Sequence, residues 1–183
     1  MLYVTEATTN DELTQIHKMN QLYLRSNLSQ HEQEEEGFVS WLYSVSLLQQ
    51  MQNIAPNIIV KENDTVVGYA LVTTIEAANF HQDLKTMIAG IETIEYKGKP
   101  LSFYSYYIMG QVCIDKAYKG KGIFNMLFQK HKELYQEKYE MLVTEISLKN
   151  LRSQKAHEKI GFKTIHTYSD ALDKWNVVVW DWR

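Results

Sequence analysis

The feature that most constrains the fold is a long apolar strand that leads through a glycine-containing turn into a helix. Residues 102–114 are rich in Tyr, Ile and Val, which predicts a strand, and the apolar periodicity of residues 122–138 predicts a helix. Gly120 and Gly122 lie between them, among lysines. Helix N-termini present unpaired N–H groups, and glycine lets the backbone approach a ligand closely. The segment predicts a phosphate or pyrophosphate site, although a turn that only caps the helix fits the same spacing.

The spacing of the glycines excludes two common phosphate-binding loops. A P-loop requires Gly-x-x-x-x-Gly-Lys followed by Ser or Thr, and no stretch of the chain supplies it. The dinucleotide-binding fingerprint requires a third glycine after Gly120 and Gly122, and Asn125 occupies that place. Its strand also belongs to an early βαβ unit, whereas this strand lies past the middle of the chain.

The rest of the chain predicts helices and strands that alternate around one sheet. Helices are predicted over residues 11–24, 39–51 and 150–160. Short apolar runs predict strands over residues 2–4, 57–61, 66–74, 141–146, 162–168 and 176–182. Residues 76–99 are predicted as a loop or a helical insertion. This order indicates an α+β or mixed α/β fold.

Composition limits the class of protein. The 183 residues, 45% of them hydrophobic and 22% charged, are typical of one globular domain spanning residues 1–183. The net charge of −3 argues against a nucleic-acid partner. The single cysteine, Cys113, excludes a disulfide framework and a multi-cysteine zinc site, so no metal is expected. No secretory signal and no apolar run of about 20 residues is visible, so we expect a cytoplasmic protein without a membrane partner.

The glycine turn resembles the acetyl-CoA motif of the Gcn5-related N-acetyltransferases (GNAT), Arg/Gln-x-x-Gly-x-Gly/Ala. Lys119 stands at the Arg/Gln position, Gly122 at the first required glycine, and Phe124 at the Gly/Ala position. Both ends of the motif therefore depart from the strict pattern. The strand that ends at Val112-Cys113-Ile114 precedes the turn as it does in the family.

A second segment, which begins at Asn150, resembles the family pattern Asn-x-x-Ala-x-x-x-Tyr-x-Lys-x-Gly-Phe. Asn150, Lys159, Gly161 and Phe162 match this pattern, whereas Ser153 and His157 replace its alanine and tyrosine. The two segments occur in the family's order, and the resemblance covers residues 104–168.

The resemblance implies a GNAT acyl-CoA N-acyltransferase fold. Such a fold has a mostly antiparallel twisted sheet flanked by helices, with two strands splayed where the cofactor lies. Residues 1–100 would shape the acceptor side, and residues 101–183 would bind acetyl-CoA. By position, the backbone of Val112, Cys113 and Ile114 would bind the pantetheine, and Asn150 and Ser153 would lie near the far side of the cofactor arm. The residues implied around the pyrophosphate are Lys119, Gly120, Lys121, Gly122, Ile123 and Phe124.

The resemblance also implies a reaction, the direct transfer of an acetyl group from acetyl-CoA to a primary amine. The amine belongs to a small molecule or to a peptide N-terminus. The alternative is a non-catalytic acyl-CoA-binding or interaction module of the same fold. Glu145 stands where some family members carry a glutamate base, or it is an ion-paired or solvent-facing side chain. His157 stands at the place of the tyrosine acid, or it is a core histidine.

The C-terminal aromatic residues leave the oligomeric state open. Trp175, Trp180 and Trp182 lie in or near the last predicted strand. Their pattern is consistent with packing between strands and also with the surface of a homodimer.

Overall fold

The computed structural model describes all 183 residues and contains nine strands and six α-helices. Seven strands form the main sheet: β1 (Leu2–Glu6), β2 (Ile58–Glu62), β3 (Thr65–Thr73), β6 (Tyr106–Ile114), β7 (Met141–Ser147), β8 (Lys163–Ser169) and β9 (Lys174–Asp181). The two remaining strands, β4 (Glu95–Tyr96) and β5 (Lys99–Pro100), form a separate small hairpin. The helices are α1 (Asn10–Leu22), α2 (Gln30–Glu36), α3 (Val45–Gln52), α4 (Gln82–Glu92), α5 (Ile123–Tyr135) and α6 (Leu151–Ile160).

The sheet has the order β1-β2-β3-β6-β7-β9-β8 and is antiparallel except for the pair β6 and β7. This arrangement confirms the mixed α/β fold with a mostly antiparallel sheet. It also brings the long strand before the glycine turn, β6, to the middle of the sheet, where β7 lies beside it.

Helices cover both faces of the sheet because the strands alternate apolar residues between the faces. Ile58 and Val60 of β2 pack in the cluster that contains the apolar residues of α5. Ile59 lies between them in sequence and packs in the opposite cluster, with α1 and α3. The glycine turn therefore leads into a helix that is held against one face of the sheet.

The prediction of one helix over residues 39–51 is wrong in its first half. Residues 37–44 form an extended connecting segment, which we call the strap, and α3 begins only at Val45. Gly37 ends α2 with a φ of 73°, which is a conformation that favours glycine. Asn20 of α1 then holds the strap, since its side chain donates to the Trp41 carbonyl oxygen and accepts from the Tyr43 N–H.

The insertion before β6 is largely helical, because α4 occupies residues 82–92 of the predicted range 76–99. Leu84, Ile88 and Ile91 are its buried residues, and their spacing places them on one helix face. No helix of the structure combines the length and the apolar character that crossing a membrane requires.

Candidate active site

The strands β6 and β7 separate part of the way along their length. Their parallel pairing joins Tyr106, Tyr107 and Ile108 to residues 141–143 and extends no further. The Thr144 hydroxyl donates to the Met109 carbonyl oxygen at 2.8 Å, which marks the point of separation. Beyond it, β6 pairs only with β3 and β7 pairs only with β9. The structure therefore contains the splayed strands, and on the side away from β3 the backbone of residues 110–114 faces the gap without a strand partner.

The glycine turn lies at the end of this gap and leaves its backbone open. Gly120 and Gly122 have φ values of 78° and 79°, and a Cβ atom at either position would meet no atom within 4 Å. Both glycines are therefore required by conformation rather than by crowding. Gly122 caps α5 without any side-chain hydrogen bond, so the first N–H groups of the helix remain available to an anion.

A cavity of about 490 Å³ adjoins the turn and the gap. It brings together ten of the residues that the sequence implied for the cofactor: Val112, Cys113, Ile114, Lys119, Gly120, Gly122, Ile123, Phe124, Asn150 and Ser153. Lys121 is not among the lining residues, and its ammonium group lies 4.4 Å from the centre of the Tyr118 ring. Arg152, Lys155 and Lys159 also line the cavity. The second motif already included Lys159, but the comparison missed Arg152 and Lys155, although their spacing places them on the same face of α6 as Lys159.

The end of α2 lies against this cavity and engages two of its cations. The Lys119 ammonium group donates to the Glu36 carboxylate and, at 2.6 Å, to the Glu36 carbonyl oxygen. Arg152 donates to the Glu35 carbonyl oxygen at 2.7 Å. The hydrogen bond from Lys119 lowers the pKa of Glu36. Lys119 therefore does not present a free ammonium group, because an internal carboxylate already occupies it.

Asn150 connects the strap to the first turn of α6. Its Oδ1 accepts from the Ser153 N–H at 3.1 Å, which caps the helix, and its Nδ2 donates to the Phe38 carbonyl oxygen at 3.0 Å. A Cβ atom on Gly37 would lie 3.0 Å from the same Oδ1. Both ends of the amide are thus used inside the protein. Asn150 lines the cavity, but its side chain positions the strap.

A second cavity, of about 870 Å³, lies on the other side of the strap. Five residues line both cavities, so the two adjoin each other: Phe38, Val39, Val112, Asn150 and Ser153. Glu145 and His157 both line the second cavity. The two candidate catalytic residues therefore border the same cavity, and neither of them lines the first one.

Glu145 lies on β7, near the point where β6 and β7 separate. Its carboxylate accepts a hydrogen bond of 2.9 Å from the Tyr168 hydroxyl. Burial raises the pKa of Glu145 to about 7, and this effect outweighs the hydrogen bond from Tyr168, which lowers the pKa. A carboxyl group with this pKa exchanges protons readily near neutral pH. Tyr168 lies on another strand, and no motif in the sequence indicated it.

His157 is 1% exposed, and its ring packs edge-on against Phe124, Phe128 and Phe162. Its Nδ1 lies 2.8 Å from the Ser153 carbonyl oxygen, so this nitrogen carries the proton and donates. Burial lowers the pKa of His157 to about 4. The ring is therefore neutral at neutral pH, and Nε2 is a buried acceptor that has no hydrogen-bond partner.

The comparisons with known proteins agree with this geometry. Residues 16–162 match the model of the "Acetyltransferase (GNAT) family". No curated protein shows a significant sequence match. Among solved structures, the ribosomal-protein-S18-alanine N-acetyltransferase from Escherichia coli is 13% identical, with a TM-score of 0.63 and coverage of 99% of this chain and 94% of that chain.

Two further structures share the fold. The NatC complex bound to Gag peptide and CoA gives a TM-score of 0.67 at 11% identity, covering 100% of this chain and 99% of that chain. The yncA protein from Salmonella typhimurium, solved with its cofactor acetyl-CoA, gives a TM-score of 0.62 at 13% identity, covering 100% and 94%. At these identities the similarity shows the fold alone. The family model, in contrast, covers well over half of the sequence, and the chain therefore belongs to the GNAT family of acetyltransferases.

Proposed function

We propose that this protein transfers an acetyl group from acetyl-CoA directly to a primary amine, with Glu145 as the general base. The observation that carries the proposal is the position of a half-buried carboxyl group, with a pKa raised to about 7, beside the gap between β6 and β7. A base with this pKa can take a proton from an ammonium group and release it again between turnovers.

The residues of the first cavity fit an elongated anion with an extended arm. The free backbone of residues 110–114 suits the amides of a pantetheine, and the open N-terminus of α5 suits a pyrophosphate. Arg152, Lys155 and Lys159 add positive charge along the same cavity. We therefore assign acetyl-CoA to this cavity and the acceptor amine to the second cavity.

Side chains of the site can receive both protons that the acceptor nitrogen loses in the proposed reaction. The Glu145 carboxylate takes one proton from the acceptor's ammonium group, and the nitrogen lone pair then forms the C–N bond. A backbone N–H of the free β6 edge stabilises the negative charge that develops on the carbonyl oxygen. The C–S bond breaks, and the leaving sulfur receives the second proton from the nitrogen. We assign His157 to this last transfer, with Nε2 accepting the proton and passing it to the sulfur.

The test is thiol release from acetyl-CoA with a panel of polyamines, aminoglycosides, amino acids and peptide N-termini. Turnover with at least one amine is expected. If no amine of the panel supports thiol release but CoA binds tightly, the protein is instead the non-catalytic acyl-CoA-binding module.

Glu36→Gln should increase the affinity for CoA by about threefold to tenfold, because the pyrophosphate and the Glu36 carboxylate compete for Lys119. Titration calorimetry at low salt measures the effect. Glu34→Gln removes the same charge from the same helix, where the Glu34 carboxylate accepts a hydrogen bond from Gln30, and it should leave the affinity unchanged. An unchanged or weaker affinity in Glu36→Gln would show that the carboxylate does not compete.

Cys113 should not form an acyl-enzyme, although it lines the acetyl-CoA cavity. Burial raises the pKa of its thiol to about 12, so almost no thiolate is present at neutral pH. Intact mass spectrometry after mixing with acetyl-CoA should show no added acetyl group. A stable mass increase that Cys113→Ala abolishes would replace the direct mechanism with a covalent one.

A further inference from the structure

The charge of the second cavity is opposite to that of the first. Four carboxyl groups line the second cavity, contributed by Asp83, Glu95, Glu145 and Asp170, and no Lys or Arg is among its lining residues. The other titratable groups that face it are His157, His166, Tyr43 and Tyr168. The first cavity contains Lys119, Arg152, Lys155 and Lys159 and only one carboxyl group, that of Glu36.

The four carboxyl groups lie at two depths. Glu145 is half-buried, whereas Asp83, Glu95 and Asp170 are exposed. We call these three residues the acidic rim. They come from α4, from β4 and from the turn between β8 and β9, so three separate elements contribute exposed carboxyl groups to the cavity.

Apolar and aromatic side chains also line the second cavity, and we call them its apolar wall. They include Trp41, Leu84, Met87, Ile94 and Trp175. A further polar feature is His157, which lines the cavity and whose buried Nε2 atom has no hydrogen-bond partner. The cavity therefore combines Glu145 and His157 with apolar side chains and three exposed carboxyl groups.

We propose that the acceptor is a small diamine or polyamine, an aliphatic amine with at least one further ammonium group. This inference rests on the proposed function, because it names the substrate class of the same site. One amino group loses its proton to Glu145 and reacts, while the carbon chain lies along the apolar wall. The other ammonium group stays charged and interacts with the acidic rim. An acceptor with a carboxylate at that end would be repelled, since no Lys or Arg lines the cavity.

Three acceptors with the same carbon chain test the inference. Hexylamine, hexamethylenediamine and aminocaproate carry the same reactive amine, but the far end is a methyl group, an ammonium group or a carboxylate. We expect kcat/KM to be highest for the diamine. Counted per reactive amine, kcat/KM for the diamine should be about tenfold higher than for hexylamine. Aminocaproate should be the poorest acceptor.

Rim variants show whether these carboxyl groups cause the preference. The double variant Asp83→Asn with Glu95→Gln should lower the ratio of kcat/KM for the diamine to that for hexylamine by about threefold to tenfold. Raising the salt from about 0.05 M to about 0.5 M should lower the same ratio in the unmodified protein, because salt screens exposed charges. Glu137→Gln, which removes an exposed carboxylate of the α5–β7 connection, is the matched control and should not change the ratio.

The preference for a diamine can be absent while the acetyltransferase activity is present. Turnover without a preference for the diamine, or a preference that the double variant leaves intact, would overturn the inference while the amine acetyltransferase activity stands. Failure of all three acceptors and of the wider panel, with acetyl-CoA still bound, would overturn the proposed function and this inference with it.

Discussion

Glu145→Gln should lower kcat/KM for acetyl transfer by at least about 100-fold, because loss of a general base typically costs two to four orders of magnitude. The glutamine keeps an oxygen that can accept the hydrogen bond from Tyr168, so the shape of the site should persist. CoA should bind to the variant as it does to the unmodified protein, since Glu145 lines only the second cavity. Thiol release and titration calorimetry measure the two quantities separately.

The pH profile should identify Glu145 as the base. The carboxylate is the active form, so kcat/KM of the unmodified protein should rise with pH and level off above about 7. This rise should be absent from the residual activity of Glu145→Gln. Glu137→Gln should keep both the rate and the rise. If Glu145→Gln kept the full rate, or the same rise of kcat/KM with pH, another group would be the base.

The same substitution should increase the stability of the protein at alkaline pH, although it lowers the activity. Burial raises the pKa of Glu145 in the folded chain above its unfolded value, so the folded state holds a proton that the unfolded state releases. Stability therefore falls as the pH rises from about 4.5 to about 7. Glutamine cannot ionise, so the variant should be more stable than the unmodified protein at alkaline pH, by on the order of 3 kcal/mol. Denaturant unfolding at acidic and alkaline pH tests this.

Asn150→Ala should lower the free energy of unfolding by about 2 kcal/mol, the combined cost of a lost helix cap and an unpaired backbone carbonyl. The affected groups are the Ser153 N–H and the Phe38 carbonyl oxygen. Denaturant unfolding measures the loss. Asn53→Ala, at the exposed end of α3, is the matched control and should cost much less.

Asn150→Asp separates the two contacts of this side chain. Aspartate keeps an oxygen to cap α6 but has no N–H to donate to Phe38. The variant should therefore keep the stability of the helix but release the strap. Because the strap lines both cavities, KM values for acetyl-CoA and for the amine should rise together. If Asn150→Ala lowered the free energy of unfolding no more than Asn53→Ala does, other contacts would hold the strap.

Helices and turns were predicted correctly where residues within the same segment determine them. The turn at Gly120 and Gly122 and the helix over residues 150–160 were both predicted from local residues, and the two glycines of the turn and Gly161, which ends the helix, have positive φ. Residues 37–44 were predicted incorrectly because their apolar spacing also fits a helix. Asn20 keeps this strap extended from another helix, and no pattern within the strap encodes that contact.

The site shows the same division between local and long-range information. The motifs identified ten of the 21 residues that line the first cavity, because each motif is a continuous stretch whose spacing follows from one turn or one helix. The second cavity was not described from the sequence. Its walls combine the strap, α4, β6, β7 and the β8–β9 turn, which only the folded sheet brings together.

The sequence by itself determined the glycine turn, the strand and the helix that flank it and the membership of a fold family, since these depend on short-range backbone preferences. The tertiary structure alone decided what the side chains can do. It pairs Lys119 with Glu36, binds Asn150 to Phe38 and encloses Glu145 beside Tyr168. The physical reason is that a pKa or an ion pair depends on burial and on the charges nearby. These surroundings come from residues far apart in the chain, and spacing along a sequence does not contain them.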